Sequence, residues 1–585
     1  MDIGRMFGGR VLVMDGAMGT MLQERGLKPG ENPALLNLRD PQAVRQVHSA
    51  YLEAGAGMIL TNTFGANRRK LPGDCQVSAV VRSAVRIARE AAARHASNTG
   101  GSEALPEALV ALNIGPVGEL LEPGGTLRFD EAYALFREQV AAGAAAGADA
   151  IYIETMSDLL EAKCAVLAAK EHCALPVFCT MSFEKGMRTF MGVDIAAMAL
   201  TLDGLGVDCI GLNCSVGPVE MAAMVRELMR WTDRPIAAKP NAGMPTLVDG
   251  NAVFAETPES FARAVAALLE LGVSAVGGCC GTTPDCIRAI GALAQNKRPR
   301  EGGAAQVSAV CSATKVVRIG GVTVIGERIN PSGKEGLQRA LLEGDVDALA
   351  DEAVEQVDAG ADILDVNVCA PGVDEAAAMA GAVRAIQAAV RAPLAIDSPN
   401  AEALEAGLRA YNGKAILNSV TGSDESLRTL LPIAQRYGAA VIGLTMDEGG
   451  VPRTAEERVR IARKIVDAAV RHGIPRRDVF IDCLTLASCA EQEIVGEALD
   501  ATERVQAELG VHTVLGISNV SYGMPARAKL NQAYLLLALE RGLDMPILDP
   551  TVPEMMDAVC CFRQLKNMDE HSEAYLRRFA NQLSL

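Results

Sequence analysis

Short runs of consecutive apolar residues recur along the chain, each preceded by an Ala-rich stretch ending near glycine and each closed by polar residues. In the first half the pattern reads AYLEAGAGMILTNTF (50–64), VAAGAAAGADAIYIETM (140–156), ALTLDGLGVDCIGLNCS (199–215) and AVAALLELGVSAVGGCCG (264–281). The second half repeats it in EAVEQVDAGADILDVNV (352–368), AGLRAYNGKAILNSV (406–420), IAQRYGAAVIGLTMD (433–447) and RVQAELGVHTVLGISNV (504–520). Runs such as MIL, IYI, CIGL, DILDV and VLGI predict strands covered on both faces, because no polar alternation marks a wet side. Alternation with helical stretches predicts parallel strands joined by right-handed crossovers.

Eight such units per half fit the roughly 250-residue size of a TIM barrel. The expected fold class is therefore α/β, as two consecutive (β/α)8 TIM barrels. An open doubly wound sheet is the alternative, yet neither half carries GxGxxG after its first strand, nor a P-loop. The expected domains are 1–300 and 316–585. Between them, within NKRPREGGAAQVSAVCSATK (296–315), residues 301–315 read as a linker: small, polar and without helical period.

Composition narrows the function classes. A formal net charge of −17 argues against nucleic acid or an anionic membrane as the main partner. No signal-length apolar stretch opens the chain, and no run of about 18 apolar residues occurs. Fifteen cysteines without secretory signals read as reduced thiols. The expected location is the cytoplasm.

In a TIM barrel the carboxyl ends of all strands face one mouth, where chemistry is done. In the first half those ends carry Asp15, Thr61 to Thr63, Asn113, Glu154, Asn213 with Cys214, Asn241, and Cys279 with Cys280. Three cysteines at one mouth could form a Cys₃ zinc site with an open fourth position. Packing as small hydrophobes is the alternative, and it is the reading for Cys560 and Cys561 in the helical stretch PEMMDAVCCFRQL. Asp15 is either a substrate contact or the N-cap of the helix that follows.

The second half ends its strands with Glu327 and Asn330, Asp365 and Asn367, Asp397, Asn418, Asp482 and Asn519. A ring of short carboxylates and amides suits a flat heterocycle with many donors and acceptors, such as a pterin. Taken singly, each such residue could equally cap a helix or turn.

GLNCSVGP (211–218), VGGCCGTTPDCIRAI (276–290) and VMDGAMGT (13–20) resemble the homocysteine S-methyltransferase family across about residues 5–295. The resemblance implies that Cys214, Cys279 and Cys280 bind Zn²⁺. A bound homocysteine would then be held as thiolate rather than as a thiol of pKa about 8.5. Glu154 is expected to meet the substrate ammonium and to serve catalysis, with Asp15, Gly16 and Gly19 around the rest of homocysteine. VIGERINPSG, DILDVNV, LAIDSPN, ILNSV, DVFIDCL and VLGISNVSYGMPAR resemble the pterin-binding methyltransferase barrel. That resemblance implies methyltetrahydrofolate as substrate, held by Glu327, Asn330, Asp365, Asn367, Asp397, Asn418 and Asp482. Asn519 is expected near the methyl-bearing nitrogen as a catalytic residue, and Arg527 near the folate tail. Cys483 stands where that family commonly has proline, which puts the loop shape in question.

The order of the two halves is similar to the N-terminal portion of the cobalamin-dependent methionine synthase family. The implied activity is methyl transfer from methyltetrahydrofolate toward homocysteine. The D-x-H-x-x-G motif of that family's cobalamin domain is absent from the sequence, so a corrinoid is expected on a separate domain or protein. The alternative is a zinc-dependent homocysteine methyltransferase with a non-corrinoid donor, its second barrel a folate-binding module.

Overall fold

The structure, a computed structural model, describes residues 3–28, 30–98, 108–243, 246–248, 251–254, 256–304 and 307–580. The chain divides into two compact units between residues 305 and 306. In the first, eight short strands run parallel: β1 (Leu12–Val13), β2 (Met58–Leu60), β3 (Leu109–Ile114), β4 (Ala150–Met156), β5 (Val177–Met181), β6 (Cys209–Asn213), β7 (Ile236–Lys239) and β8 (Ala275–Val276). Each pairs with its successor from β2 to β8, β8 pairs with β1, and a Met14–Met58 bridge brings the ring round to β2. The inward residues Met14, Met58, Ala111, Tyr152, Phe178 and Ala237 share one core, which Met6 of the N-terminal helix joins. The outward residues are covered by helices, which is why the runs show no polar face.

The second unit is a closed barrel of β9 (Ile325–Ile329), β10 (Ile363–Asn367), β11 (Leu394–Asp397), β12 (Ile416–Thr421), β13 (Ala440–Leu444), β14 (Val479–Asp482), β15 (His512–Gly516) and β16 (Met545–Leu548). The two consecutive (β/α)8 barrels expected from the sequence are present. The expected linker needs correction. Within 301–315, Ala309–Ser312 is a buried strand pairing antiparallel with Val316–Arg318 and with Gly413–Lys414. Val310 and Val317 pack into the second barrel's core, so apolar burial fixes a stretch whose small residues look like spacer. Among the described residues, no helix is long and apolar enough to cross a membrane.

Helix starts use their own polar residues. Asp158, Asp194, Asp374, Asn400, Ser423 and Thr454 each accept a backbone N–H at the first turn of the helix they precede. None of these is a site candidate.

Candidate functional site

Cys214 follows β6 with φ 62°, and Ser215 follows it with φ 56°. Two consecutive non-glycine residues in the left-handed region cost free energy and must be held by their surroundings. The Cys214 N–H donates to the Lys239 carbonyl at 3.1 Å, and that of Val216 to the Cys214 carbonyl at 2.7 Å. After β8, the Cys279 N–H donates to the Pro240 carbonyl at 2.8 Å, and Thr282 Oγ1 donates to the Cys279 carbonyl at 2.7 Å. Gly277 and Gly278 are required for space: a Cβ on Gly278 would lie 2.3 Å from Thr282 Oγ1, and one on Gly277 would lie 2.8 Å from the Asp15 carbonyl oxygen.

These turns bring the three sulfurs within 4.8 Å of one another. Cys214 Sγ and Cys280 Sγ are 3.8 Å apart. Tetrahedral zinc with Zn–S of about 2.3 Å demands an S–S edge of about 3.8 Å. Asn213 Nδ2 faces Cys279 Sγ at 3.8 Å and also donates to Thr155 Oγ1 at 2.7 Å. The Asn213 Oδ1 accepts from the Thr155 N–H and from Thr180 Oγ1, so the amide is locked. Hydrogen bonds from Cys279 and Cys280 drive the Cys214 thiol down to about 3, while the same cluster pushes Cys280 up to about 12. Cys279 is raised as well, for it gives its proton to the same partners. The three thiols thus compete for charge, and a central dication is what would let all three ionise. The donor set fits zinc.

Beside the sulfurs lies a cavity of about 520 Å³ lined by Asp15, Gly16, Gly19, Glu154, Lys239 and the three cysteines, among others. Cys214, Cys279, Cys280, Glu154, Asp15, Gly16 and Gly19, the expected zinc and homocysteine residues, all line it, as do Thr61, Asn62 and Asn113, whereas Thr63, Asn213 and Asn241 of the same mouth do not. Glu154 Oε1 accepts from Asn113 Nδ2 at 2.9 Å, whereas its Oε2 is buried without a hydrogen bond. Asp15 is no helix cap: the N-cap position of the next helix is Ala17, which makes no side-chain cap bond. The Asp15 carboxylate accepts from the Leu60 N–H at 2.7 Å, and Lys239 Nζ stands 3.4 Å from its other oxygen. Burial raises the Asp15 carboxyl to about 6, against the opposing pull of Lys239. Lys239 is the residue that sequence reasoning missed. It was visible as a charge closing the apolar run IAA, but lysine there reads as solvated. Its side chain is 3% exposed, and its ammonium lies 3.6 Å from Glu154 Oε2 and 5.4 Å above the Tyr152 ring.

In the second unit, Asp365, Asn367, Asp397, Asn418 and Asp482 gather at the carboxyl ends of neighbouring strands. Asn418 Nδ2 donates to Asp365 Oδ1 and Asn367 Nδ2 to Asp397 Oδ2, both at 2.9 Å. Burial, reinforced by the neighbouring Asp397, holds the Asp365 carboxyl well above the usual carboxylate range, and burial raises Asp397 too. Asp482, buried but receiving the Leu484 N–H at 2.7 Å, is pushed up to about 7. Glu327 reaches about 7 by burial, although Ser518 Oγ donates to it at 3.1 Å. Asn519 is exposed on a short 3-10 turn, Ile517–Ser521. Asn330 and Arg527, like Asn367 and Asp482, also bond the local backbone. Asn330 Oδ1 accepts from the Ser332 N–H, and Arg527 donates to Ser521 Oγ and the Ser518 carbonyl, bracing the turn that bears Asn519.

The loop after Asp482 is shaped by Arg458, a buried residue no motif announced. Its Nη1 donates to the carbonyls of Cys483 and Leu484, and its Nε to that of Pro452. Cys483 itself is buried, and its carbonyl is one of those that Arg458 holds.

Residues 12–294 match the model of the homocysteine S-methyltransferase family, and residues 326–549 that of pterin binding enzymes. Methionine synthase of Mycobacterium tuberculosis is 35% identical over 574 residues, covering 92% of this chain and 47% of that protein. The one from Mycobacterium leprae is 33% identical over 575 residues, again covering 92% and 47%. The chain spans about half the length of these curated relatives. The metallated homocysteine methyltransferase MmuM of Escherichia coli aligns at TM-score 0.41 and 24% identity, covering 48% of this chain and 96% of that one.

Proposed function

Because the chain joins a homocysteine S-methyltransferase domain to a pterin-binding domain, in the arrangement of methionine synthases, we propose that it carries two half-reactions of methionine formation. The first unit methylates homocysteine; the second takes the methyl group from methyltetrahydrofolate. The relay between them is a corrinoid on a separate domain or protein.

One observation carries the first half: three sulfurs at zinc spacing, next to a cavity with a buried carboxylate oxygen still free to accept. Zinc held by Cys214, Cys279 and Cys280 would keep a fourth position for the substrate sulfur and lower its pKa so that it is a thiolate at neutral pH. Glu154 Oε2 accepts from the substrate ammonium. Asn113 holds the other Glu154 oxygen and so fixes the direction of approach. Asp15, already bonded to Leu60 and Lys239, positions rather than binds.

In the second unit the carboxylates of Asp365, Asp397 and Asp482 accept from the amino-pyrimidinone edge of the pterin, and Asn418 and Asn367 orient the first two. Loss of the methyl group from a tertiary amine demands positive charge on nitrogen or a hydrogen bond to it. The Asn519 amide is the candidate donor, and Glu327, poised near neutrality, is a candidate proton source on the adjoining strand end.

The test separates the halves. Zinc-loaded protein should methylate homocysteine from free methylcobalamin and demethylate methyltetrahydrofolate onto reduced cobalamin. Cys279→Ser should abolish only the first reaction, and Asn519→Ala should slow only the second. Absence of both reactions in zinc-loaded protein would refute the proposal. Homocysteine methylation by a sulfonium or betaine donor without corrinoid would refute the relay alone.

A further inference from the structure

The loop that follows β14 leaves Asp482 and ends at helix Ile494–Leu509. Its root is fixed: the Leu484 N–H donates to Asp482, and Arg458 holds the carbonyls of Cys483 and Leu484. Its far end is fastened to the turn after β15. Ser488 sends two donors to one acceptor, the Val520 carbonyl, its backbone N–H at 2.9 Å and its hydroxyl at 2.8 Å. Beside it the Cys489 thiol donates to the Tyr522 carbonyl at 3.1 Å. The loop rooted at one expected pterin contact therefore grips the turn that bears Asn519.

Val520 follows Asn519 directly, and its side chain is buried. A carbonyl oxygen has two lone pairs, and Ser488 supplies a donor for each, so the Val520 peptide cannot turn without losing both bonds. On the other flank Arg527 holds the Ser521 hydroxyl and the Ser518 carbonyl. Asn519 itself is exposed, and an exposed amide takes its direction from the backbone that carries it. That amide lies back over the end of β15, for a Cβ on Gly516 would stand 2.8 Å from Asn519 Nδ2. A small rotation of the turn would carry the amide off this place.

Resting on the reading of Asn519 given above, we propose that Ser488 is a positioning residue for methyl transfer, its hydroxyl holding the turn so that the Asn519 amide meets the methyl-bearing nitrogen. The C–N bond breaks with its electron pair left on nitrogen, the acceptor supplies the pair that takes the methyl group, and the amide N–H donates to the nitrogen as its pair develops. A donor placed for that moment acts on the rate and little on binding.

The test measures methyl transfer from methyltetrahydrofolate to reduced cobalamin, and methyltetrahydrofolate affinity, on the full chain. Wild type is compared with Ser488→Ala, Ser488→Thr, Asn519→Ala and the Ser488→Ala, Asn519→Ala double variant. Ser488→Ala removes one neutral hydrogen bond and should transfer roughly 2- to 10-fold more slowly, with affinity within about twofold of wild type. Ser488→Thr keeps the hydroxyl and should stay within about twofold of the wild-type rate. In the Asn519→Ala background the serine change should cost less than about twofold, because its effect runs through the missing amide. If Asn519→Ala transfers as fast as wild type, the reading of Asn519 itself fails. If Asn519→Ala is slow, three results overturn the assignment of Ser488 while that reading stands: a wild-type rate in Ser488→Ala, an equal slowing by Ser488→Ala in both backgrounds, or a slowing by Ser488→Thr as large as that by Ser488→Ala. A loss of affinity that matches the loss of rate in Ser488→Ala overturns it too, since the hydroxyl would then serve binding.

Discussion

Arg458 has no solvent exposure, yet it lies on helix Ala455–Arg471, whose sequence offers no motif. Replacing it with methionine removes the donors to three carbonyls, those of Pro452, Cys483 and Leu484. At about 1 kcal/mol net per hydrogen bond, the loss comes to about 3 kcal/mol. Relief from burying a guanidinium offsets part of it, while three carbonyls left dry add to it. A net cost of about 2–4 kcal/mol follows, which for a unit of this size lowers the thermal midpoint by about 5–10 °C. The functional consequence is local. Leu484, at φ 57°, donates its N–H to Asp482, so a loosened clamp misplaces the carboxylate that should face the pterin. Differential scanning calorimetry with pterin titration is the assay. Arg458→Met should melt lower and bind methyltetrahydrofolate about tenfold more weakly, the equivalent of 1.4 kcal/mol, with homocysteine binding intact. A midpoint within about 2 °C of wild type, with unchanged pterin affinity, would refute the clamp.

Three further outcomes are expected. His48 is fully buried with both ring nitrogens unpartnered, and burial lowers it from 6.5 to about 4. The unfolded chain takes up that proton between pH 6.5 and 4 while the native chain does not, so stability declines as pH falls through that window, by up to about 3 kcal/mol; urea titrations at pH 7 and 4.5 should show His48→Leu losing less stability on acidification than wild type. With Asp482 raised to about 7, its ionised form, the one proposed to accept from the pterin, dwindles on acidification; methyltetrahydrofolate affinity should fall about tenfold per pH unit below that point, and Asp482→Asn should bind weakly with a flatter profile. Gly278→Ala places a Cβ 2.3 Å from Thr282 Oγ1 and must shift the Cys279 turn; zinc stoichiometry after dialysis against a mild chelator should drop well below that of wild type.

The barrels were legible because strand burial on both faces writes itself as unbroken apolar runs, and the mouths because polar residues close those runs. Cys214 and the Cys279–Cys280 pair could be joined on paper only through that shared mouth; the left-handed turn at Cys214 and Ser215 that aims the sulfur is a tertiary fact with no local signature. Gly277 and Gly278 pack closely against Asp15 and Thr282, a requirement that nothing in their local sequence announces. Lys239 and Arg458 escaped notice for one reason. Long basic side chains usually reach solvent, and only the three-dimensional arrangement reveals carboxylates or carbonyls waiting for them. Ala309–Ser312 escaped because four residues of modest hydropathy cannot announce a strand that a distant segment, Gly413–Lys414, completes.

X-ray absorption at the zinc edge, with and without homocysteine, bears most directly on the central claim. Three sulfurs at about 2.3 Å with one lighter ligand should become four sulfurs when homocysteine is added. A metal site with fewer than three protein sulfurs, or one whose sulfur count does not rise on adding homocysteine, would contradict the account.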